Sequence, residues 1–226
     1  MFEGENMGLK PAMKAILSTN IYAITAQEFS LGRTNIEVVK EMLSAGIKVI
    51  QYREKEMSLG AMYEEGLEIR HLTKEAEACF IVNDHVDLAI ALKADGVHIG
   101  QKDLPPLVVR ALIGDEMILG LSTQNEAEAK EAEALGVVDY IGVGPLYETQ
   151  TKKDASSPVG FAYLRYVAQE IALPFVVIGG IKREHIKEIK SNGGRMIALV
   201  SEIVGAPDIA KRIEEIENII KRLDGK

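Results

Sequence analysis

The chain has 226 residues, of which 47% are hydrophobic, a formal net charge of −8 and one cysteine. The acidic balance excludes a broad nucleic-acid or anionic-membrane surface, which needs a basic field, but not a local Lys/Arg cluster that takes a small anion. A lone cysteine excludes an intrachain disulfide or a cysteine-based zinc site, and no apolar run approaches the ~18–20 residues of a membrane span.

Residues 1–20 are weakly patterned and read as an N-terminal extension, either a short helix or disordered, without the basic start and apolar core of a secretory signal. A cytoplasmic protein with one domain, residues 21–226, is expected. From there the text is rhythmic. Ile21–Thr25 reads as a strand and Ile36–Ala45 as a helix closed by Gly46. Lys48–Arg53 is the second strand, followed by the helix Leu59–Glu77 with Ser58 as its N-cap. Cys79–Asn83 and the helix Val86–Lys93 form the third unit; Cys79 reads as a small core residue. Gly96–Gly100 is followed by a helix over Leu107–Ile113, which Pro105 and Pro106 introduce. Then come Met117–Ser122 with helix Glu126–Leu135, Tyr140–Gly144 with helix Phe161–Ile171, and Pro174–Gly179 with helix Arg183–Lys190. Met196–Ser201 and Asp208–Leu223 complete the series.

Short apolar strands alternating with helices imply a parallel sheet buried on both faces. Eight such units point to a closed (β/α)8 TIM barrel, α/β in class; an open doubly wound sheet is the alternative, and no strand runs into G-x-G-x-x-G. In such a barrel chemistry collects at the C-terminal strand ends.

The polar residues do fall there. Strand two ends with Gln51, Arg53 and Lys55, spaced to share one face; a rigid guanidinium fork and a mobile ammonium suit a diphosphate. Strand three ends in Asn83-Asp84 and strand four runs on to Asp103. Each Asp taken singly fits a cap or turn, but together, beside an anion site, they suit Mg²⁺. Ser122 at the end of strand five fits an anion donor or a helix cap. His98 in mid-strand reads as a satisfied core residue, and His71, His85 and His185 lack metal-ligand spacing. After strand six comes Glu148-Thr149-Gln150-Thr151-Lys152-Lys153-Asp154, which is either a solvated loop or a phosphate cradle. Backbone N–H groups after strands seven and eight, at Gly179-Gly180 and Val200-Ser201, form a further phosphate site. Two anion sites on one face suit an enzyme that joins two phosphorylated small molecules, with no nucleic-acid or membrane partner. A homo-oligomer is compatible with the sequence.

The segments QYREK, IVNDHVDLAIALKADGVHIGQKDLP, GLST, YIGVGPLYETQTK, VVIGGI and ALVS occur in this order across Ile21–Ser201. In this the chain resembles the thiamine phosphate synthase family. The resemblance implies a barrel that condenses 4-amino-5-hydroxymethyl-2-methylpyrimidine diphosphate with 4-methyl-5-(2-phosphooxyethyl)thiazole, releasing thiamine phosphate and diphosphate with Mg²⁺ as cofactor. It implies that Gln51, Arg53, Lys55, Asn83, Ser122 and Lys152 hold the pyrimidine diphosphate, with Arg53, Lys55 and Lys152 catalytic. Asp84 and Asp103 would bind the metal. Thr149, Thr151, Gly180, Val200 and Ser201 would hold the thiazole phosphate. Asn192-Gly193-Gly194-Arg195 departs from the more usual acidic turn of that family. Three rivals stand beside this reading: a thiazole tautomerase of the same barrel family, a non-catalytic thiamine-precursor binding protein, and an unrelated phosphosugar isomerase.

Overall fold

Eight parallel strands close into a barrel in the computed structural model, each hydrogen-bonded to its sequence neighbours, with the last paired to the first. The structure describes residues 10–149, 151 and 156–225. The chain opens with helix α1 (Pro11–Ser18). The units that follow are β1 (Ile21–Ile24) with α2 (Asn35–Ser44), β2 (Val49–Tyr52) with α3 (Leu59–Glu75), β3 (Cys79–Asn83) with α4 (Val86–Ala91), and β4 (Gly96–Ile99) with α5 (Pro106–Ile113). After them come β5 (Ile118–Thr123) with α6 (Glu126–Ala134), β6 (Tyr140–Val143) with α7 (Gly160–Glu170), β7 (Phe175–Val177) with α8 (Ile186–Ser191), and β8 (Met196–Leu199). Two helices end the chain, α9 (Ser201–Val204) and α10 (Ile209–Asp224).

Strand alternation divides the apolar residues between two cores. Tyr22, Ile24, Val49, Cys79, Ile81, Ile118, Tyr140, Val176, Met196 and Ala198 pack inside the barrel. Their neighbours in sequence, such as Ala23, Ile50, Phe80, Val97, Leu119, Ile141, Val177 and Leu199, face the helices. Cys79 is buried, and burial pushes its thiol up, as a core role requires. The weak pattern before Ile21 hides a structural part: α1 inserts Met13 and Ile16 into the inner core. Lys10 and Arg110 both reach Asp139, at 2.8 and 2.6 Å, and tie this start of the chain to the N-terminal ends of the strands.

Small residues on three adjacent strands make the interior asymmetric. A Cβ on Gly96 would meet Ile81 Cδ1 at 2.6 Å, and one on Gly120 would meet Tyr140 Cζ at 2.3 Å and His98 Nδ1 at 2.4 Å. A Cβ on Gly142 of β6 would lie 3.2 Å from His98 Cε1 in the same sense, so Gly120 and Gly142 give the space that the Tyr140 and His98 rings occupy, while Gly96 makes room for Ile81 and Ile118.

One element boundary shifts in a way that matters. Ser58 caps α3 through Ala61 N, as expected. Strand eight, however, ends at Leu199 rather than Ser201, and Ser201 opens the short helix α9. Ser201 therefore belongs to a helix start and not to a strand.

Candidate active site

The C-terminal strand ends carry two clusters of polar side chains. The first lies on β2 to β5. Gln51, nearly fully buried, faces the barrel interior, and its Nε2 donates to the Tyr22 hydroxyl at 2.9 Å. Arg53 and Lys55 lie beyond the end of β2, so the shared face expected from alternation applies only loosely. Arg53 is held at its backbone by Thr25 Oγ1, which accepts from Arg53 N at 2.8 Å. Its guanidinium reaches Glu28 at 3.5 Å and donates to the Thr151 carbonyl at 3.2 Å. Lys55 Nζ sits 2.5 Å from Asp84 Oδ2.

Asp84 does not cap α4; the N-cap position is His85, without a side-chain bond. The Asp84 backbone is left-handed, with φ of +62°, and its N–H donates to His98 O at 2.8 Å. Burial alone would push its carboxyl up, but the bond and charge of Lys55, with help from His98 and Asn83, hold it below the usual carboxylate range. Asp103 performs the turn role: its Oδ2 accepts from Gly100 N at 2.7 Å. The pair therefore stands on adjacent strand ends, one carboxylate already facing a cation. Among the described residues no group of three His, Cys, Asp or Glu could hold a metal alone. This donor set fits Mg²⁺, which keeps waters and substrate oxygens and takes one or two carboxylates; it does not fit a metal caged entirely by protein.

Glu54, between the two cations, points the other way. It is 5% exposed, and its Oε1 accepts from Lys55 N at 2.7 Å and Glu56 N at 2.9 Å while Asn35 Nδ2 donates to its other oxygen at 3.0 Å. Burial raises its carboxyl, but these bonds and Arg53 outweigh burial and leave it lowered. A lowered folded value means that the contribution is whole above the unfolded value and fades as pH falls. Glu54→Gln is expected to lose about 1–3 kcal/mol of stability at neutral pH, and the gap to wild type to narrow below the ordinary value of 4.5. Urea unfolding of both proteins from pH 7 down to pH ~3 measures this.

His98 is satisfied at both ring nitrogens, as expected, but it is also a link in a longer chain of side chains. The Tyr22 and Tyr140 hydroxyls are 2.8 Å apart, Tyr140 is 2.9 Å from His98 Nδ1, and His98 Nε2 is 2.9 Å from Ser122 Oγ. Five side chains from five strands thus cross the barrel interior from Gln51 to Ser122. Burial pushes both tyrosine hydroxyls up, so they stay protonated. With the Gln51 amide oriented so that Nε2 meets Tyr22, proton counting gives the chain a direction. Gln51 donates to Tyr22, Tyr22 to Tyr140, Tyr140 to His98 Nδ1, and His98 Nε2–H to Ser122. The Ser122 proton is left for a ligand at the mouth. Ser122 is not a helix cap; Asn125 caps α6. The signal available in sequence was the glycine-spaced strands opposite Tyr140 and His98. Tyr140→Phe is expected to cost about 1–3 kcal/mol and to lower kcat/KM about tenfold, with a Ser122→Ala double-mutant cycle that is non-additive.

The second cluster lies on β6 to β8. After β6 the Gly144-Pro145 bond is cis and the chain runs beside the end of β7. Leu146 N donates to Ile178 O at 2.9 Å and Tyr147 N to Gly179 O at 3.0 Å. The Tyr147 ring stacks on His185 at 3.9 Å, and its hydroxyl donates to Glu188 at 3.1 Å. Thr149 Oγ1 accepts from Thr151 N at 3.2 Å. Gly180 has a φ of +62°, and a Cβ there would lie 2.2 Å from Glu148 O. Val200 precedes α9 and Ser201 opens it. Lys152 lies outside the described residues. The Arg53–Thr151 bond joins the two clusters directly.

The comparisons with known proteins concern the chain as a whole. A family model described as thiamine monophosphate synthase matches residues 21–203. The chain is 58% identical over 210 residues to a thiamine-phosphate synthase of Pelotomaculum thermopropionicum, covering 93% of this chain and 96% of that one. It is 53% identical over 204 residues to one from Lawsonia intracellularis, covering 90% and 94%. Among solved structures, a thiamine phosphate pyrophosphorylase from Pyrococcus furiosus superposes with a TM-score of 0.81 at 35% identity, covering 90% of this chain and 96% of that one. A match over nearly the whole barrel, at these identities, shows that the chain belongs to the thiamine monophosphate synthase family.

Proposed function

We propose that the protein condenses 4-amino-5-hydroxymethyl-2-methylpyrimidine diphosphate with 4-methyl-5-(2-phosphooxyethyl)thiazole to give thiamine phosphate and diphosphate, in the cytoplasm and with Mg²⁺. The observation that carries this reading is the pair of anion-suited clusters on one barrel mouth, linked where Arg53 meets the Thr151 carbonyl. A thiazole tautomerase has no use for the Arg53, Lys55, Asp84 and Asp103 half.

The reaction breaks the bond between the pyrimidine CH₂ carbon and a diphosphate oxygen. The electron pair leaves with the diphosphate, and the thiazole nitrogen forms the new C–N bond. Arg53, Lys55 and Lys152 are assigned to the departing diphosphate, and Gln51, Asn83 and Ser122 to the pyrimidine end. Thr149, Thr151, the Gly180 N–H and the backbone at Val200 and Ser201 are assigned to the thiazole phosphate. Asp84 and Asp103 would hold Mg²⁺, which would supply charge neutralisation for the departing diphosphate. No side-chain nucleophile is required, and the one cysteine is buried in the inner core. Positioning and electrostatic stabilisation of the leaving group account for the chemistry.

The test is one assay. Both substrates are supplied with and without Mg²⁺, and thiamine phosphate and diphosphate are followed together. Diphosphate should appear only when both substrates and the metal are present. Isomerisation of the thiazole without diphosphate release would favour the tautomerase. Binding of either substrate with no turnover would favour a binding protein.

A further inference from the structure

We infer that the outer face of α3, α4 and α5 is the contact surface for a second copy of this chain, related by a two-fold axis. Of the ten exposed large hydrophobics among the described residues, eight lie on these three consecutive helices and the turn before α5. Helix α5 is the centre. Its outward residues are Leu107 at 56%, Val108 at 45% and Leu112 at 54% exposed, with Ala111 also exposed between them. The one charged side chain of α5, Arg110, turns inward to the carbonyls of Gly114, Met117 and Val137 and to Asp139. The opposite side, Val109, is fully buried. A helix that is apolar all round belongs in an interior, and a barrel's outer ring covers only one of its faces.

The patch is continuous. On α3, Leu59, Tyr63 and Leu67 recur every four residues and so form one stripe. That stripe lies toward α4, because Arg70 on the same side reaches Asp95 at 2.8 Å, whereas Glu68 on the other side reaches Lys40 of α2 at 3.5 Å. Ile90 of α4 is 43% exposed between the stripe and α5, and Leu104 is 49% exposed at the turn before α5. If a large side chain offers ~150–200 Å² when free, eight of them about half exposed present on the order of 600 Å² of apolar surface. That exceeds the few hundred Å² that monomers ordinarily leave bare, and approaches the ~800 Å² per partner of a stable interface.

Charge is compatible with a second copy. Exposed Glu64 of α3 and Asp87 of α4 stand within or beside the apolar residues, and the charges flanking α5 differ at its two ends. Exposed Lys102 and Asp103 precede α5, with the Asp103 carboxylate turned back to Gly100 N, and exposed Asp115 and Glu116 follow it. Two copies of α5 packed antiparallel across a two-fold axis bring the Lys102 end of one against the partner's Asp115 and Glu116, twice over. The same contact covers Leu104, next to Asp103, so association would brace the turn that carries this carboxylate. This inference is independent of the substrate assignment above.

The test is sedimentation over ~1–100 µM of the full chain. Wild type should run as a dimer. Leu107→Glu combined with Leu112→Glu, and separately Ala111→Arg, should weaken association at least 100-fold while the thermal midpoint stays within a few degrees. The charge swap supplies a readout specific to the antiparallel arrangement. Lys102→Glu should weaken the dimer, and adding Asp115→Lys and Glu116→Lys should restore it. A wild type that is monomeric throughout overturns the inference. So does a dimer that survives all these substitutions, since it must then use another face.

Discussion

Asp84→Asn is expected to lower kcat/KM by about 10²–10³-fold while leaving the fold intact. Asparagine is the informative substitution because Asp84 has a left-handed φ of +62°, which asparagine tolerates better than alanine. The side chain keeps its shape and loses only its charge. Two consequences follow from geometry. Lys55 loses the partner 2.5 Å away that aims it at the mouth, and the cation site on adjacent strand ends loses one of its two carboxylates. The stability term is small by comparison. The Lys55 side chain is 40% exposed and that of Asp84 28%, so their pair contributes only about 0–1 kcal/mol. Activity and stability should therefore separate. Steady-state rates across a Mg²⁺ titration should show a higher metal requirement in the variant, and thermal unfolding should show little change. Near-normal turnover at ordinary Mg²⁺ would sink the role assigned to Asp84.

The barrel was legible because its cause is periodic. Short apolar strands between helices admit few architectures, and capping signals at Ser58 and proline at the start of α5 marked helix starts that the structure keeps. The strand-end residues were legible for a related reason: the fold states where chemistry gathers, so a short list of polar positions sufficed. What stayed hidden depends on contacts between distant strands. Periodicity says that His98 and Tyr140 lie on strands, but not that Gly120 vacates the volume in which they meet. Glu54 read as part of a charged motif, yet its carboxylate turns inward to staple the backbone N–H groups of Lys55 and Glu56. A short helix before β1 is one of the two expectations from sequence, but its role as a plug was hidden, because it needs only two apolar residues, Met13 and Ile16, and these make no long pattern. Helix α9 hid because a single turn of helix looks like the end of the strand before it.

Gly180→Ala should be the most damaging change in the second cluster. Two costs combine there. The first is conformational: a φ of +62° costs an alanine about 1 kcal/mol, which a glycine does not pay. The second is steric. The new methyl would lie 2.2 Å from Glu148 O and 3.0 Å from Tyr147 C. Both are backbone atoms, so no side chain can swing aside, and the loop after β6 must move. That loop carries Thr149 and Thr151, and through the Thr151 carbonyl it also meets Arg53. A displacement of about 1 Å at such a point can cost 10²-fold in rate. The expected result is a rise of about 10²-fold in KM for the thiazole phosphate, a smaller change for the pyrimidine diphosphate, and a loss of about 2–4 kcal/mol in unfolding free energy. Gly136→Ala is the control. Its φ is +65°, but nothing lies within 4 Å of the added carbon, so it should pay the conformational cost alone and keep both KM values. If Gly180→Ala behaves like this control, the close approach of the two loops does not position the thiazole phosphate site, and the assignment of Thr149 and Thr151 fails with it.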